Sequence, residues 1–72
     1  MLHNNRIAEV YGQNLRRIRQ AHKETQQELG EAIGYGATTI ANYESGYRLP
    51  DLETFIWIAR HYDVSLDAFF EA

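Results

Sequence analysis

The chain has 72 residues, no cysteine and a net charge of −3 at neutral pH. A chain of this length forms one domain with a small core, and the lack of cysteine excludes disulfides and thiolate metal sites. No apolar run approaches the roughly 20 residues of a membrane span, and the first ten residues lack a signal-peptide core. We expect a single cytoplasmic domain over residues 7–72, preceded by an N-terminal arm of residues 1–6.

The first predicted element is an amphipathic helix over about residues 7–22. Side chains of one stripe recur at steps of three and four, which is the spacing of a helix face. We expect this stripe to face the core. Its members are Ile7, Tyr11, Leu15, Ile18 and His22.

Residues 26–43, QQELGEAIGYGATTIANY, predict two short helices around a tight turn. Thr25 and Glu28 have the spacing of a capping box at the start of the second helix. Gly34 can supply the positive φ of the turn, and Gly30 leaves room where the helices cross. Apolar residues fall on the facing sides of both helices, which predicts a helix-turn-helix. These residues are Leu29, Ile33, Ile40 and Tyr43.

Two more helices are predicted after Ser45-Gly46 ends the third. Helix four runs from Asp51 to about Tyr62 after Pro50, a residue that fits the start of a helix. Asp63 stops it, and Ser65 caps a short final helix. The apolar stripes are Leu52, Phe55, Ile58, Ala59 and Tyr62 in helix four, and Leu66, Phe69 and Phe70 in helix five. Because no strand-period alternation competes, the expected fold class is all-α with five helices.

From Tyr11 to Phe70 the chain resembles the XRE-type helix-turn-helix domain, the five-helix module of lambdoid phage repressors and Cro. The matching residues are Leu15, Arg16, Ile18, Arg19, Thr25, Gln26, Glu28, Leu29, Ile33, Gly34, Thr39, Ile40, Tyr43, Glu44, Gly46, Pro50, Ile58, Ala59, Val64, Ser65 and Leu66. The resemblance implies a lambda-repressor-like fold and a DNA-binding transcriptional regulator, usually dimeric. The chain departs from the family pattern at Lys23-Glu24 and at Gly36-Ala37.

Helix three, about residues 36–44, is expected to lie in the major groove with its N-terminal residues facing base edges. Its outward residues Ala37, Thr38 and Asn42 are the candidates for reading bases. Asn42 can pair with N6 and N7 of adenine, while Ala37 and the Thr38 methyl suit a thymine methyl. Since the helix has no Arg or Lys, we expect a bias toward A·T pairs. Alternatively, Thr38 and Asn42 are ordinary solvated residues of a surface helix.

Contacts with the DNA backbone are expected from the helix ends and the following loop. The family glutamine that contacts a phosphate corresponds to Gln26, and Thr39, Tyr47 and Arg48 are further candidates. Residues 1–50 hold one net positive charge and residues 51–72 hold four net negative charges. The acidity is thus expected to lie away from the helix-turn-helix, and the near-neutral front half predicts modest non-specific affinity.

We expect Arg19 and Glu44 to have a structural role first and a DNA-contacting role only second. Their counterparts in the family form an ion pair that ties helix one to helix three. A partly buried bidentate pair fixes orientation better than it adds net stability.

Trp57 lies almost opposite the apolar stripe of helix four. We hypothesise that it forms part of a dimer contact, with His61 and Phe70, because exposed aromatic residues are enriched at protein interfaces. Two alternatives remain: residues 1–7 fold over Trp57, or the tryptophan stands exposed alone.

Catalysis is not expected, because the three histidines are scattered and no cysteine joins them in a metal site. No cofactor is expected either. The sequence predicts a regulator of transcription, most simply a repressor, that binds double-stranded DNA as a homodimer on a near-palindromic operator. The competing hypothesis is a protein-interaction module, antitoxin-like, that binds a protein partner through the Trp57 face.

Overall fold

The computed structural model describes residues 6–71, and this part of the chain is helical without strands. It contains α1 (Arg6–Ala21), α2 (Gln26–Ile33), α3 (Ala37–Glu44), α4 (Leu52–Tyr62) and a terminal 3-10 helix (Leu66–Phe70). The all-α prediction is confirmed, but the expectation of five α-helices is wrong because the last element is a five-residue 3-10 helix. Short terminal segments often wind this tightly. Arg6, which was predicted to belong to the N-terminal arm, is the first residue of α1. Residues 1–5 lie outside the described residues.

The core forms where α1 meets α3 and the 3-10 helix, while α2 packs on α3 and α4. The predicted stripes of α1 and α4 are wrong at their first turns, where Ile7 is 65% exposed and Leu52 is 69% exposed. The stripe of α4 is correct at its other end, because Tyr62, the last residue of the helix, is buried. The buried apolar residues are Tyr11, Leu15, Ile18, Leu29, Ile40, Tyr43, Ile58, Ala59, Tyr62 and Phe69.

The turn between α2 and α3 has the predicted geometry. Thr25 and Glu28 form both halves of the capping box at the start of α2. Gly34 has a φ of 85°, in the left-handed region that favours glycine. A Cβ atom on Gly30 would lie 2.6 Å from the carbonyl oxygen of Tyr35, so only glycine allows this approach. Together these features fix the angle at which α3 leaves α2.

A second close crossing, between α1 and α3, was not apparent from the sequence. A Cβ atom on Gly12 would lie 2.5 Å from the carbonyl oxygen of Tyr43 and 2.6 Å from that of Glu44. Nearby, Asn14 is buried, and its Nδ2 donates to the carbonyl oxygens of Phe69 and Glu71 at 2.9 and 2.8 Å. These bonds satisfy backbone acceptors at the end of the 3-10 helix and hold it against α1.

Candidate nucleic-acid interface

The outward face of α3 presents the three residues predicted to read bases. Thr38 is exposed, and Ala37 and Asn42 are half-buried, whereas Ile40 and Tyr43 point into the core. Thr38 and Asn42 are four positions apart and therefore share one face of the helix. Within residues 6–71 the side-chain amide of Asn42 makes no hydrogen bond, so its donor and acceptor are both available to a base edge. The face carries no charge of its own.

The loop after α3 is held close to this face. The carbonyl oxygen of Asn42 accepts hydrogen bonds from the backbone N–H groups of Tyr47 and Arg48, at 3.0 and 3.2 Å. Both side chains are exposed, and that of Tyr47 is 78% exposed. Thr39, Asn42 and Arg48 line one cleft beside α3. The structure thus brings Thr39 and Asn42 of α3 and Arg48 of its loop together at one cleft.

One acidic residue also lies on this surface, contrary to the expectation that the acidity sits away from the helix-turn-helix. Asp51 lines the same cleft as Thr39 and Arg48. Its carboxylate caps α4 by accepting the N–H of Thr54 at 2.9 Å, and hydrogen bonds from Thr54 lower the pKa of Asp51. The sequence places Asp51 after the loop, but the loop folds back and returns it to α3.

Gln26 is the first residue of α2 and lies against Glu44, the last residue of α3. Its Nε2 donates to Oε1 of Glu44 at 3.1 Å, which fixes the amide between α2 and α3. An amide nitrogen carries two hydrogens, so the second remains for a phosphate oxygen. The free N–H groups of a helix start also favour an anion at this position.

A model of the helix-turn-helix family matches residues 15–69. The chain belongs to the XRE-type helix-turn-helix family. This is a family of DNA-binding transcriptional regulators, and not one of enzymes. The sequence resemblance is therefore confirmed over most of the domain.

Among the relatives of this XRE-type domain are two regulators of Bacillus subtilis. The HTH-type transcriptional regulator YobD is 41% identical over 58 residues, which cover 81% of this chain and 52% of YobD. The HTH-type transcriptional regulator ImmR is 38% identical over 56 residues, covering 78% of this chain and 44% of ImmR. The chain spans about half the length of these regulators.

A phage protein and a solved structure are also similar to it. The cryptic phage CTXphi transcriptional repressor RstR of Vibrio cholerae is 37% identical over 49 residues, covering 68% of this chain and 44% of RstR. The crystal structure of the restriction-modification controller protein C.AhdI from Aeromonas hydrophila superposes with a TM-score of 0.81 at 25% identity. That match covers 88% of this chain and 96% of C.AhdI.

Arg19 and Glu44 join α1 to α3 in the XRE-type domain. Nε of Arg19 contacts Oε2 of Glu44 at 2.5 Å, and Nη2 contacts Oε1 at 3.0 Å. The side chains are only 10% and 4% exposed, and this hydrogen bonding raises the pKa of Arg19. Because Glu44 also accepts a hydrogen bond from Gln26, the ion pair fixes the Gln26 amide as well as the contact between α1 and α3.

Tyr35 was not singled out in the sequence, although it lines the cleft beside α3. Its hydroxyl lies 3.2 Å from Oγ1 of Thr54, so it links the turn of the XRE-type motif to α4. A tyrosine between two turn glycines gave no sign of this link, because its partner lies nineteen positions further along.

Trp57 is 55% exposed on the outer side of α4. His61 lies beside it, since both line one hollow with Ala32 and Ile33. Phe70 occupies a separate hollow, where its ring packs on those of Tyr11 and Phe55. The structure therefore groups Trp57 with His61 and does not bring Phe70 to them. Most of the arm proposed to cover Trp57 lies outside the described residues.

A cluster that the sequence did not reveal surrounds Glu24, one of the two positions where the chain departs from the family pattern. The Glu24 carboxylate accepts a hydrogen bond from the Tyr62 hydroxyl at 2.7 Å and lies 2.8 Å from Nε2 of His61. Burial raises the pKa of Glu24, but the hydrogen bonds from Tyr62 and His61 outweigh it, so the pKa is lowered overall. The cluster ties α4 to the loop that precedes Gln26.

This cluster predicts how the free energy of unfolding depends on pH. A carboxylate whose pKa is lower in the folded state stabilises the fold above its unfolded pKa and loses that contribution as pH falls through the folded value. Glu24→Gln should lower the free energy of unfolding at pH 7 by about 1–2 kcal/mol. The difference from wild type should shrink below the ordinary glutamate pKa of 4.5.

Chemical denaturation at several pH values measures this difference. Asp67→Asn, at an exposed position of the 3-10 helix, is the matched control and should change stability little at any pH. A gap between Glu24→Gln and wild type that stayed constant from pH 7 to pH 3 would show that the Glu24 charge does not stabilise the fold.

Two further findings concern other kinds of site. In the region from Arg6 to Glu71, no group of three or more His, Cys, Asp or Glu side chains is placed to hold a metal ion. No helix in the same region is both long enough and apolar enough to cross a membrane.

Proposed function

We propose that the chain is a sequence-specific regulator of transcription that binds a near-palindromic operator as a homodimer in the cytoplasm, with α3 in the major groove. The observation that carries the proposal is the surface formed by α3 and its loop. On it, the amide of Asn42, which makes no hydrogen bond within residues 6–71, shares a helix face with exposed Thr38. Arg48 lines the cleft beside Asn42, and Gln26 is held against Glu44 at the end of α3.

Base reading rests on Ala37, Thr38 and Asn42. The Asn42 amide matches N6 and N7 of an adenine, and the methyl groups of Ala37 and Thr38 match a thymine methyl. No side chain of α3 offers the fork of arginine donors that usually reads guanine. The half-site is therefore expected to be rich in A·T pairs where α3 contacts it.

Positioning on the DNA rests on contacts that carry no sequence information. Gln26 and Thr39 donate to phosphates on either side of the groove, and Tyr47 and Arg48 extend the contact along the backbone. Arg48 is the only cation in this set, and Asp51 lies beside it. Each subunit therefore releases few counterions, and affinity depends on both half-sites being filled.

Two-fold symmetry would place the two α3 helices about 34 Å apart, one turn of duplex. The repressor role is supported by the relative RstR, which is a phage transcriptional repressor. A controller role is supported by the resemblance to the restriction-modification controller C.AhdI. Both roles require the same mode of operator binding.

Titration of the protein, at 50 and 200 mM salt, with a duplex selected for binding from a random pool and taken as its operator tests the proposal. With Arg48 as the one cation placed at phosphates, two per dimer, log K of the wild type should fall against log salt with a slope of about −2. Arg48→Ala should make the slope less steep by about 2 for the dimer. Binding that ignored salt, or no preference for the selected operator over random duplex, would contradict DNA reading.

A second function is favoured by one specific observation, the exposed Trp57 on a helix away from α3. In that alternative the chain is an antitoxin-like module that binds a protein partner through the Trp57 face. The same titration separates the two, because such a module would not bind duplex DNA with sequence preference.

A further inference from the structure

The outer face of α4 carries one continuous stripe that the core does not use. Glu53, Ile56, Trp57 and Arg60 follow each other at the i, i+3, i+4 and i+7 positions of one helix face. Ile56 is 39% exposed and Trp57 is 55% exposed. These four residues and Leu52 line a single shallow hollow. The stripe therefore places an apolar centre between an acid at one end and a base at the other.

The two charges of the stripe are not paired with each other within residues 6–71. Glu53 and Arg60 lie seven positions apart, which is about 10.5 Å along the helix axis. Neither side chain forms an ion pair anywhere in the described residues 6–71. A second α4 helix running antiparallel would bring an arginine beside each glutamate. Such self-complementarity is what a two-fold interface requires, because residue i meets residue j and j meets i.

We propose that α4 is the dimer interface of this protein, and that its occupant is α4 of a second copy, packed antiparallel. Glu53 then pairs with Arg60 of the partner subunit, and Ile56 packs on Trp57 of the partner subunit across the axis. The inference rests on the proposed function, which needs two copies on one operator, and it adds the surface that joins them.

The charges decide between this stripe and the other exposed apolar hollow. The hollow that contains Phe70 is lined only by apolar and aromatic residues, namely Ile7, Tyr11, Leu49, Pro50, Leu52 and Phe55 besides Phe70. It holds no pair of charges to set an orientation. His61 takes no part in the proposed pairing, because its ring already contacts Glu24. The proposed dimer contact therefore includes Trp57, as the sequence suggested, together with Glu53, Ile56 and Arg60. It does not include His61 or Phe70.

Charge reversal tests the pairing. Sedimentation equilibrium at low salt would compare the wild type with Glu53→Arg, Arg60→Glu and the double variant. Each single variant sets like charges against each other twice across the axis, and should weaken dimerisation at least about tenfold. The double variant restores both pairs in reverse and should return to within about threefold of the wild type. Trp57 is the only tryptophan, so its emission on dilution reports the same equilibrium independently.

Asp67→Arg is the matched control for Glu53→Arg, since it also replaces an acid by an arginine, at an exposed position outside the stripe. It should dimerise like the wild type, and circular dichroism of every variant checks that the fold is kept. Single variants that dimerise as well as the wild type, or a folded double variant that stays monomeric, would overturn the interface. A monomeric wild type at high protein concentration would also overturn it.

Operator binding, measured on the same samples, separates this inference from the proposed function. If Glu53→Arg dimerises normally and the wild type binds its operator, the interface is wrong and DNA reading stands. If charge reversal controls dimerisation but no duplex is preferred, the interface stands and the proposed function is wrong. If both hold, the single variants should bind isolated half-sites and lose cooperative binding to the full operator.

Discussion

Replacing Glu44 with alanine is expected to lower the free energy of unfolding by about 3 kcal/mol, which for a domain of this size corresponds to a melting temperature more than about 10 °C lower. The change leaves the buried guanidinium of Arg19 without its carboxylate and removes the acceptor that holds Gln26. DNA affinity should fall further than the loss of folded protein explains. Thermal unfolding and operator titration measure the two effects separately.

Two other variants make this prediction specific. Glu31→Ala removes an exposed acid of α2 and should change stability by less than about 0.5 kcal/mol. Glu44→Gln keeps an acceptor for Gln26 and should remain folded, so it allows the DNA measurement if the alanine variant unfolds. An unchanged melting temperature for Glu44→Ala would mean that the pair does not hold α1 to α3.

The second large effect is expected at Asn42. Asn42→Ala should weaken operator binding at least about tenfold, because a bidentate contact to a base provides roughly 1–3 kcal/mol of discrimination. Stability should change little, since the side-chain amide makes no hydrogen bond in the described part of the chain. Fluorescence anisotropy with a labelled operator measures the loss.

An adenine analogue that lacks N7 makes the test specific to the major groove. If Asn42 reads that adenine, the analogue weakens wild-type binding but weakens Asn42→Ala no further, since the contact is already gone. Gln20→Ala, an exposed amide on α1, is the control and should bind like the wild type. Equal sensitivity of the wild type and Asn42→Ala to the analogue would exclude Asn42 as its reader.

Local signals in the sequence predicted much of the geometry that aims α3. The capping box at Thr25 and Glu28, the positive φ of Gly34 and the close approach at Gly30 each depend on residues within ten positions of one another. Helical periodicity likewise predicted that Ile40 and Tyr43 would point inward. Such short-range requirements can be recognised in a single chain because they do not depend on distant elements.

Features that depend on distant elements were missed or misplaced. Periodicity marked Ile7 as a core residue but could not show how far its neighbours extend. Gly12 meets α3 about thirty residues later, and Glu24 finds its partner His61 37 positions away. Asp51 returns to the cleft beside α3 only because the loop folds back. The sequence order also gave no reason to separate Phe70 from Trp57.

Selection of bound duplexes from a random pool, with the wild type and Asn42→Ala in parallel, tests most directly whether α3 reads DNA. The wild type should return two A·T-rich half-sites one helical turn apart, with a fixed adenine that Asn42→Ala no longer selects. A fixed guanine opposite α3, or the same sequences selected by both proteins, would contradict base reading by Ala37, Thr38 and Asn42.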